Sequence, residues 1–274
     1  MAGPNSISAD KLARLIGTPN APLLIDVRTA DDFAADPRLL PASIRTTHVA
    51  ISEGAMPGGE GPAVIICQRG AKLSEGSAAI LRLAGRDAVS LSGGFEAWRE
   101  AGLPLVPSAI IPPRNANGHT RWVTRHRPKI DRIACPWLIR RFVDPKAEFL
   151  YVPPDDVPGV AERFSATPFD MAEGFWTHRN DTCTFDTMVT EFGLATPPLL
   201  HLARVVRAAD LGGRLKDEPE AAGLLAVSLG LSRQYSDDLQ QLEAGMAVYD
   251  ALYRWCRDAT EETHSWVSPS KTPA

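Results

Sequence analysis

Three short apolar runs constrain this chain more than any other feature. They are Pro22-Leu23-Leu24-Ile25-Asp26-Val27-Arg28, Val64-Ile65-Ile66-Cys67 and Ala88-Val89-Ser90-Leu91. Their apolar side chains come consecutively. A strand wet on one face alternates, whereas a consecutive run belongs to a strand covered on both faces, as in a parallel sheet. Helical stretches alternate with the runs. Ser8 reads as the N-cap of a short helix ending at Gly17, a second helix follows Gln68-Arg69-Gly70-Ala71-Lys72 as far as Leu83, and Gly93-Gly94 turns into a third. Strand–helix alternation of this kind implies an open α/β sheet.

The pattern stops near residue 107. Pro104, Pro107, Pro112 and Pro113, followed by Asn115, Asn117 and Gly118, read as a linker over 108–120. Beyond it the sequence reads as mostly helical. Expected helices are Asp131 to Phe142, with Pro136 near its first turn, then Leu199 to Leu211, Glu220 to Leu229 and Asp237 to Arg257. Ala147 to Val152 reads as a strand. The expected organisation is a first domain at 1–107, the linker, a second domain at 121–267 and a disordered tail at 268–274. With 274 residues and 44% hydrophobic content, both halves have enough apolar sequence for a core.

The net charge of −4 gives no global signal for nucleic acid or membrane. Charge is unevenly placed, however. Residues 114–141 hold eight Lys/Arg against one acid, Asp131, while 142–274 hold eleven against twenty-one Asp/Glu. Such a contrast makes either complementary faces within one domain or an anion-binding patch. Four cysteines without a CxxC pair suggest reduced thiols and a cytoplasmic setting. Met1 to Leu12 has no signal-peptide pattern, and no apolar run reaches the ~20 residues of a membrane span.

Cys67 follows a buried strand and precedes a helix. In that position a side chain stands at the carboxyl end of the sheet, where ligands of open α/β sheets bind. The backbone N–H groups of Gln68 to Lys72 can converge on one point, with the helix start and the charges of Arg69 and Lys72 beside them. All of these favour a thiolate and equally a terminal persulfide anion. Gly70 allows the left-handed backbone of a tight loop. A lone cysteine at a strand end is otherwise commonly just a buried small hydrophobe.

Three motifs in order go further. Leu24-Ile25-Asp26-Val27-Arg28 with Phe33, Cys67-Gln68-Arg69-Gly70-Ala71-Lys72, and Leu91-Ser92-Gly93-Gly94-Phe95-Glu96-Ala97-Trp98 with Gly102-Leu103-Pro104 together resemble the rhodanese family over residues 6–107. The resemblance implies that Cys67 takes a sulfane sulfur from thiosulfate or a similar donor and passes it to a low-molecular-weight thiol or cyanide, without a cofactor. It also implies that Gln68, Arg69, Gly70, Ala71 and Lys72 cradle the anionic donor. Two positions depart from the family pattern. Leu40-Pro41-Ala42-Ser43-Ile44-Arg45 replaces the usual Gly-His-Ile-Pro-Gly-Ala stretch, and Leu73 stands where a small hydroxyl residue is common. Asp26 and Arg28 are expected to form a structural pair under the loop.

In the second half two clusters stand out. Cys135, just before Pro136 and near Arg132 and Arg140, would have its pKa lowered if it lay at a helix start; these three are the anion candidates of this half. His178, Asp181, Cys183 and Asp186 fall within nine residues. If this half holds a metal ion, His178 and Cys183 are its expected ligands, with His201, Asp210 or Glu148 joining only if the fold brings them near. Asp131 to Phe142, Thr167-Pro168-Phe169-Asp170, His178, Cys183-Thr184-Phe185-Asp186, Val206-Arg207-Ala208-Ala209-Asp210, Gly230-Leu231-Ser232 and Tyr249 to Tyr253 resemble the C-terminal domain of ChrB, a chromate-resistance family. That resemblance implies a role in chromate or oxyanion stress. Where a ChrB regulator is expected to carry its N-terminal part, this sequence has the rhodanese pattern, which argues against DNA binding.

The expected fold is α/β: a rhodanese-like parallel sheet with flanking helices, followed by a mostly α-helical (α+β) second domain. The expected function is a sulfurtransferase forming a persulfide on Cys67, tied to chromate resistance. The alternative is a chromate-responsive sensor or regulator using the basic stretch Arg125 to Arg141 of the second half. Expected partners are the sulfur donor, the acceptor thiol and chromate, with neither membrane nor nucleic acid.

Overall fold

A computed structural model describes residues 4–59 and 61–262. The tail expected at 268–274 lies outside the described residues. In chain order the elements of the first half are β1 (Ser6–Ile7), α1 (Ala9–Leu15), β2 (Leu23–Asp26), α2 (Ala30–Ala35), β3 (Arg38–Leu39), β4 (Ser43–Arg45), α3 (His48–Ser52), β5 (Ala63–Ile66), α4 (Lys72–Leu83), β6 (Ala88–Leu91), α5 (Gly94–Glu100) and β7 (Val106–Pro107). The second half contains β8 (Arg121–Arg125), α6 (Asp131–Phe142), β9 (Glu148–Val152), α7 (Val157–Phe164), β10 (Thr167–Pro168), α8 (Thr184–Glu191), α9 (Pro197–Asp210), α10 (Glu220–Gln234) and α11 (Asp238–Asp258).

The first half is a five-stranded, all-parallel sheet in the order β1-β6-β5-β2-β4. The consecutive apolar runs are its three central strands. Their side chains divide between two covered faces: Leu24, Val64, Ile66 and Leu91 join one cluster, Ile25, Ile65, Cys67 and Ala88 the other. Ser8 caps α1 through its side chain, which accepts the Lys11 N–H. Between the three readable strands the sequence hid α2, β4 and α3, each of six residues or fewer.

The second half is mainly helical, with a three-stranded parallel sheet in the order β10-β8-β9. Of these, β9 was expected and β8 was not. Helix α6 forms over the expected residues, but Pro136 is inside it rather than in its first turn. Proline lacks an N–H, so the carbonyl one turn earlier, that of Arg132, loses its helical donor. The Tyr151 hydroxyl of β9 donates to that carbonyl instead, at 2.9 Å. Tertiary structure thereby replaces the bond that local sequence removes.

Stretch 108–120 holds a 3-10 turn at Ser108–Ile110 and a tight loop in which Asn115 Oδ1 accepts the N–H groups of Asn117 and His119. Arg114 pairs with the buried Asp144 at 3.0 Å. The halves share an apolar core: Leu12, Ile16, Leu40 and Trp98 belong to the same buried cluster as Trp137, Phe142 and Tyr253. Gly17 has φ +78, and a Cβ there would stand 2.8 Å from the Tyr253 ring and still closer to the tip of Phe142. The Ala42 N–H donates to the Phe142 carbonyl at 2.6 Å. Among the described residues no helix is long and apolar enough to cross a membrane.

Candidate active site

Strand β5 lies at the centre of the sheet, and Cys67 leaves its carboxyl end directly. Helix α4 begins at Lys72, so residues 67–71 make the whole turn. Gly70 has φ +64, and a Cβ on it would stand 2.5 Å from the backbone nitrogens of both Gly93 and Gly94. Gly94, with φ +61, returns the constraint: a Cβ there would overlap the Gly70 nitrogen and the Cys67 carbonyl. Two glycine backbones thus pack against each other where no side chain fits. The Phe95 N–H donates to the Cys67 carbonyl and the Glu96 N–H to the Gln68 carbonyl, both at 3.0 Å, which ties the loop to the start of α5.

Within this turn Cys67 is 5% exposed. Its Sγ accepts the Ala71 N–H at 3.3 Å and lies 3.1 Å from the Ser74 hydroxyl. Leu73, which departs from the small hydroxyl residue common there in the family, joins the apolar cluster, and Ser74, fully buried, brings its hydroxyl to the sulfur. Sequence reasoning missed Ser74, and its signal was a serine one residue beyond the vacated position. Gln68 donates to Glu96 at 3.1 Å. Arg69 is 80% exposed and lies 3.6 Å from the same carboxylate, and Lys72 stands exposed at the start of α4. Beneath the loop, Arg28 donates through Nε and Nη2 to Asp26 at 2.9 and 2.7 Å. The expected structural pair is therefore present, with both side chains buried.

The second half places its candidates differently. Arg132 pairs with Asp170 at 3.2 Å and Arg140 with Glu243 at 2.5 Å. Arg121, Arg125 and Arg141 pair with Glu148, Asp170 and Asp250. The basic stretch thus meets the acidic remainder within one domain. Cys135 is wholly buried inside α6, away from the helix start, and burial followed by the charges of Asp131 and Asp170 pushes its thiol well up. The expected lowering is thereby corrected: desolvation and carboxylates outweigh a helix end that the thiol does not occupy.

His178 is brought to three carboxylates. Its Nε2 lies 3.2 Å from Asp170 Oδ1, 3.4 Å from Asp131 Oδ2 and 3.4 Å from Asp210 Oδ2. Asp131 opens α6, Asp210 closes α9, and Asp170 follows β10 with φ +52. The Asp131 carboxylate, then that of Asp170, beside the imidazole raise His178 to about 10. Burial, then the neighbouring Asp131 and Asp170, raises Asp210 to about 7. Burial alone would raise Asp170 too, but His178, Arg125 and Arg132 hold it below the usual carboxylate range. Among the described residues, the ligand-type side chains that converge are Asp131, Asp170 and His178. Cys183 is not in that group; it caps α8, its N–H donating to Asp186 at 3.0 Å, and burial pushes its thiol well up. Of the three distant candidates, Asp210 reaches His178, whereas His201 lies by Glu218 and Trp255 and Glu148 by Arg121 and His119.

A central parallel strand delivering a cysteine into a glycine-lined turn defines the first half as a rhodanese-like domain, and residues 8–101 match the family model of that description. It has a sulfurtransferase-type fold. Residues 122–256 match the model of ChrB, C-terminal domain. One segment of the chain thus matches a rhodanese-like domain and the other a ChrB C-terminal domain. Protein ChrB of Cupriavidus metallidurans is 34% identical over 155 residues, covering 56% of this chain and 46% of that protein. The chain thus spans about half the length of the curated relative it matches. Similar solved structures include a rhodanese-related protein from Thermoplasma volcanium (23% identity, 38% of this chain, 99% of that one, TM-score 0.32). A rhodanese homologue from the extremely thermophilic bacterium Thermus thermophilus is 27% identical over 34% of this chain and 99% of its own, with TM-score 0.29. The thiosulfate sulfurtransferase from Pseudomonas aeruginosa is 23% identical over 38% of this chain and 19% of its own, with TM-score 0.33.

Proposed function

We propose that the protein is a sulfurtransferase that carries sulfane sulfur on Cys67 and serves chromate or oxyanion tolerance. The observation that carries this reading is the environment of Sγ: one backbone N–H at 3.3 Å and one hydroxyl at 3.1 Å, in a turn held open by Gly70 and Gly94. In the reaction the Cys67 thiolate attacks the outer sulfur of thiosulfate. The sulfur–sulfur bond of the donor breaks and sulfite leaves with the bonding pair. The persulfide anion occupies the same cradle, where the Ala71 N–H donates to sulfur and the Ser74 hydroxyl, turning from the Ala71 carbonyl, does so as well, as both do for the thiolate. A thiolate or cyanide then attacks the terminal sulfur, and Cys67 leaves as thiolate. No cofactor is needed, since each step exchanges one sulfur–sulfur bond for another or for a carbon–sulfur bond. The ChrB C-terminal domain supports the link to chromate, and the cytoplasm, with its reduced thiols, is the compartment that suits the acceptor.

The test is direct. Incubation with thiosulfate should add the mass of one sulfur atom to the peptide containing Cys67, and cyanide should remove it. Cys67→Ser should lose both adduct and turnover, because a hydroxyl holds no sulfane sulfur. Turnover persisting in that variant, with the adduct on Cys135, would move the active centre to the other half and end this reading.

A further inference from the structure

We propose that Asp131, Asp170 and His178 bind a divalent transition-metal ion, with Asp210 beside the imidazole. The three distances from His178 Nε2, 3.2, 3.4 and 3.4 Å, carry the first argument. Donor atoms held at about 2.0–2.2 Å from one ion stand roughly 2.8–3.6 Å apart at the corners of an octahedron or tetrahedron. All three separations fall in that range. They suit a hydrogen-bonded ion pair less well. One imidazole nitrogen offers a single hydrogen, and a charge-assisted N–H···O bond is typically ~2.7–2.9 Å long. The ligand atoms of Asp131, Asp170 and His178 all lie within 4.8 Å of one another.

A second observation is independent of these distances. Asp131 is 1% exposed, and its Oδ1 is buried with no hydrogen-bond partner. Its Oδ2 accepts the Thr184 N–H at 2.6 Å and faces His178. The unpartnered atom is the second oxygen of the carboxylate that faces His178. Buried carboxylate oxygens are as a rule satisfied, and a cation at the cluster supplies what Asp131 Oδ1 lacks.

The surroundings orient the donors. Arg125 and Arg132 hold Asp170 Oδ2 at 2.9 and 3.2 Å, which turns Oδ1 toward His178. The Thr184 hydroxyl donates to that same Oδ1 at 3.1 Å. Supporting partners of this kind fix the direction of metal ligands. His178 and Asp210 side chains are 38% and 19% exposed, so the ion and its remaining water ligands have access. Carboxylate oxygens with a single imidazole, and no thiolate, select the class of manganese(II), iron(II) and zinc(II). The site stands apart from Cys67, so its fate is separate from that of the sulfurtransferase reading.

Manganese(II) is the probe. The full chain, purified without a histidine tag and stripped with a chelator, is titrated with manganese chloride while the paramagnetic resonance signal of the free ion is followed. One equivalent should disappear from that signal, and spin-echo modulation should show an imidazole nitrogen on the bound ion. His178→Gln and Asp170→Asn should each weaken binding more than tenfold, while Glu243→Gln and Cys67→Ser leave it unchanged. No binding at millimolar ion, equal binding by His178→Gln, or a bound ion without imidazole modulation would each overturn the proposal. The modulation is read on the unaltered protein, so the test survives a variant that fails to fold.

Discussion

Replacing Asp26 by asparagine isolates what the buried pair beneath the cysteine turn contributes. Asp26 and Arg28 are 1% and 2% exposed. Asp26 accepts three bonds from Arg28, from the backbone N–H at 2.9 Å, Nε at 2.9 Å and Nη2 at 2.7 Å. Arg28 in turn donates to the carbonyls of Asp36 and Arg38 at 3.0 and 2.6 Å and lies 3.8 Å over the Phe95 ring. Asparagine keeps the shape, so no cavity forms. It replaces an acceptor oxygen with a donor facing a guanidinium that only donates, and it leaves that charge uncompensated. Removing one partner of such a pair costs about 3–5 kcal/mol. At about 2–4 °C per kcal/mol for a chain of this size, the melting temperature should fall by roughly 6–20 °C. The assay is a pair of circular-dichroism melts, thermal and urea, on the full chain. The double variant Asp26→Leu, Arg28→Leu removes both charges and strands the residue-28 backbone N–H and the two half-buried carbonyls, at ~1 kcal/mol each. It should therefore be more stable than the single variant. A single-variant loss below ~1 kcal/mol, or a double variant less stable than Asp26→Asn, would refute the reasoning.

Other perturbations test separate parts of the structure. Tyr151→Phe leaves the Arg132 carbonyl without the donor that Pro136 had already denied it, and should cost ~1–2 kcal/mol in a urea melt, most of it restored by adding Pro136→Ala. Lys72→Ala should raise the KM for thiosulfate roughly threefold to tenfold with little change in kcat, and less so at high salt; a loss confined to kcat would instead place Lys72 in the transfer step. Burial pushes the Cys256 thiol from an ordinary 9.0 to about 12. Its folded pKa is raised, so the stability it contributes is complete below pH ~9 and is lost as pH rises toward 12, at up to ~1.4 kcal/mol per pH unit. Urea midpoints across that window should fall less steeply in Cys256→Ala than in the unaltered protein.

The sequence was most legible where one local rule decided the outcome. Central strands buried on both faces must be apolar throughout, so β2, β5 and β6 announced themselves, and Cys67 followed from its place at the end of one. The α2, β4 and α3 segments are too short for any period to show. Strand β8 was missed because arginines at both its ends were read as part of a charge run, when they pair with Glu148 and Asp170. The His178 cluster was half visible. His178 was chosen by residue type, and Asp210 was weighed, but Asp131 and Asp170 join it only through tertiary closure of α6, β10 and α9. Cys183 was chosen for the same reason as His178 and serves a helix end instead. Ser74 was overlooked because residue type was matched by position in the chain, whereas the helix turns its hydroxyl toward the sulfur.

The meeting of Gly17 and Phe142 ties the histories of the two halves together. A side chain at 17 would occupy the volume of the Phe142 ring tip, crowd Tyr253 and sit on a left-handed backbone, so a larger residue there needs smaller ones at 142 and 253 and still carries backbone strain. Glycine should therefore persist at 17 wherever aromatic rings stand at 142 and 253 in fusions of this architecture. A foreign rhodanese domain grafted onto this ChrB half would need a left-handed glycine at the end of its first helix, whatever the state of its cysteine loop. Compatibility between partners in such a fusion is set at that contact as much as at the site of chemistry.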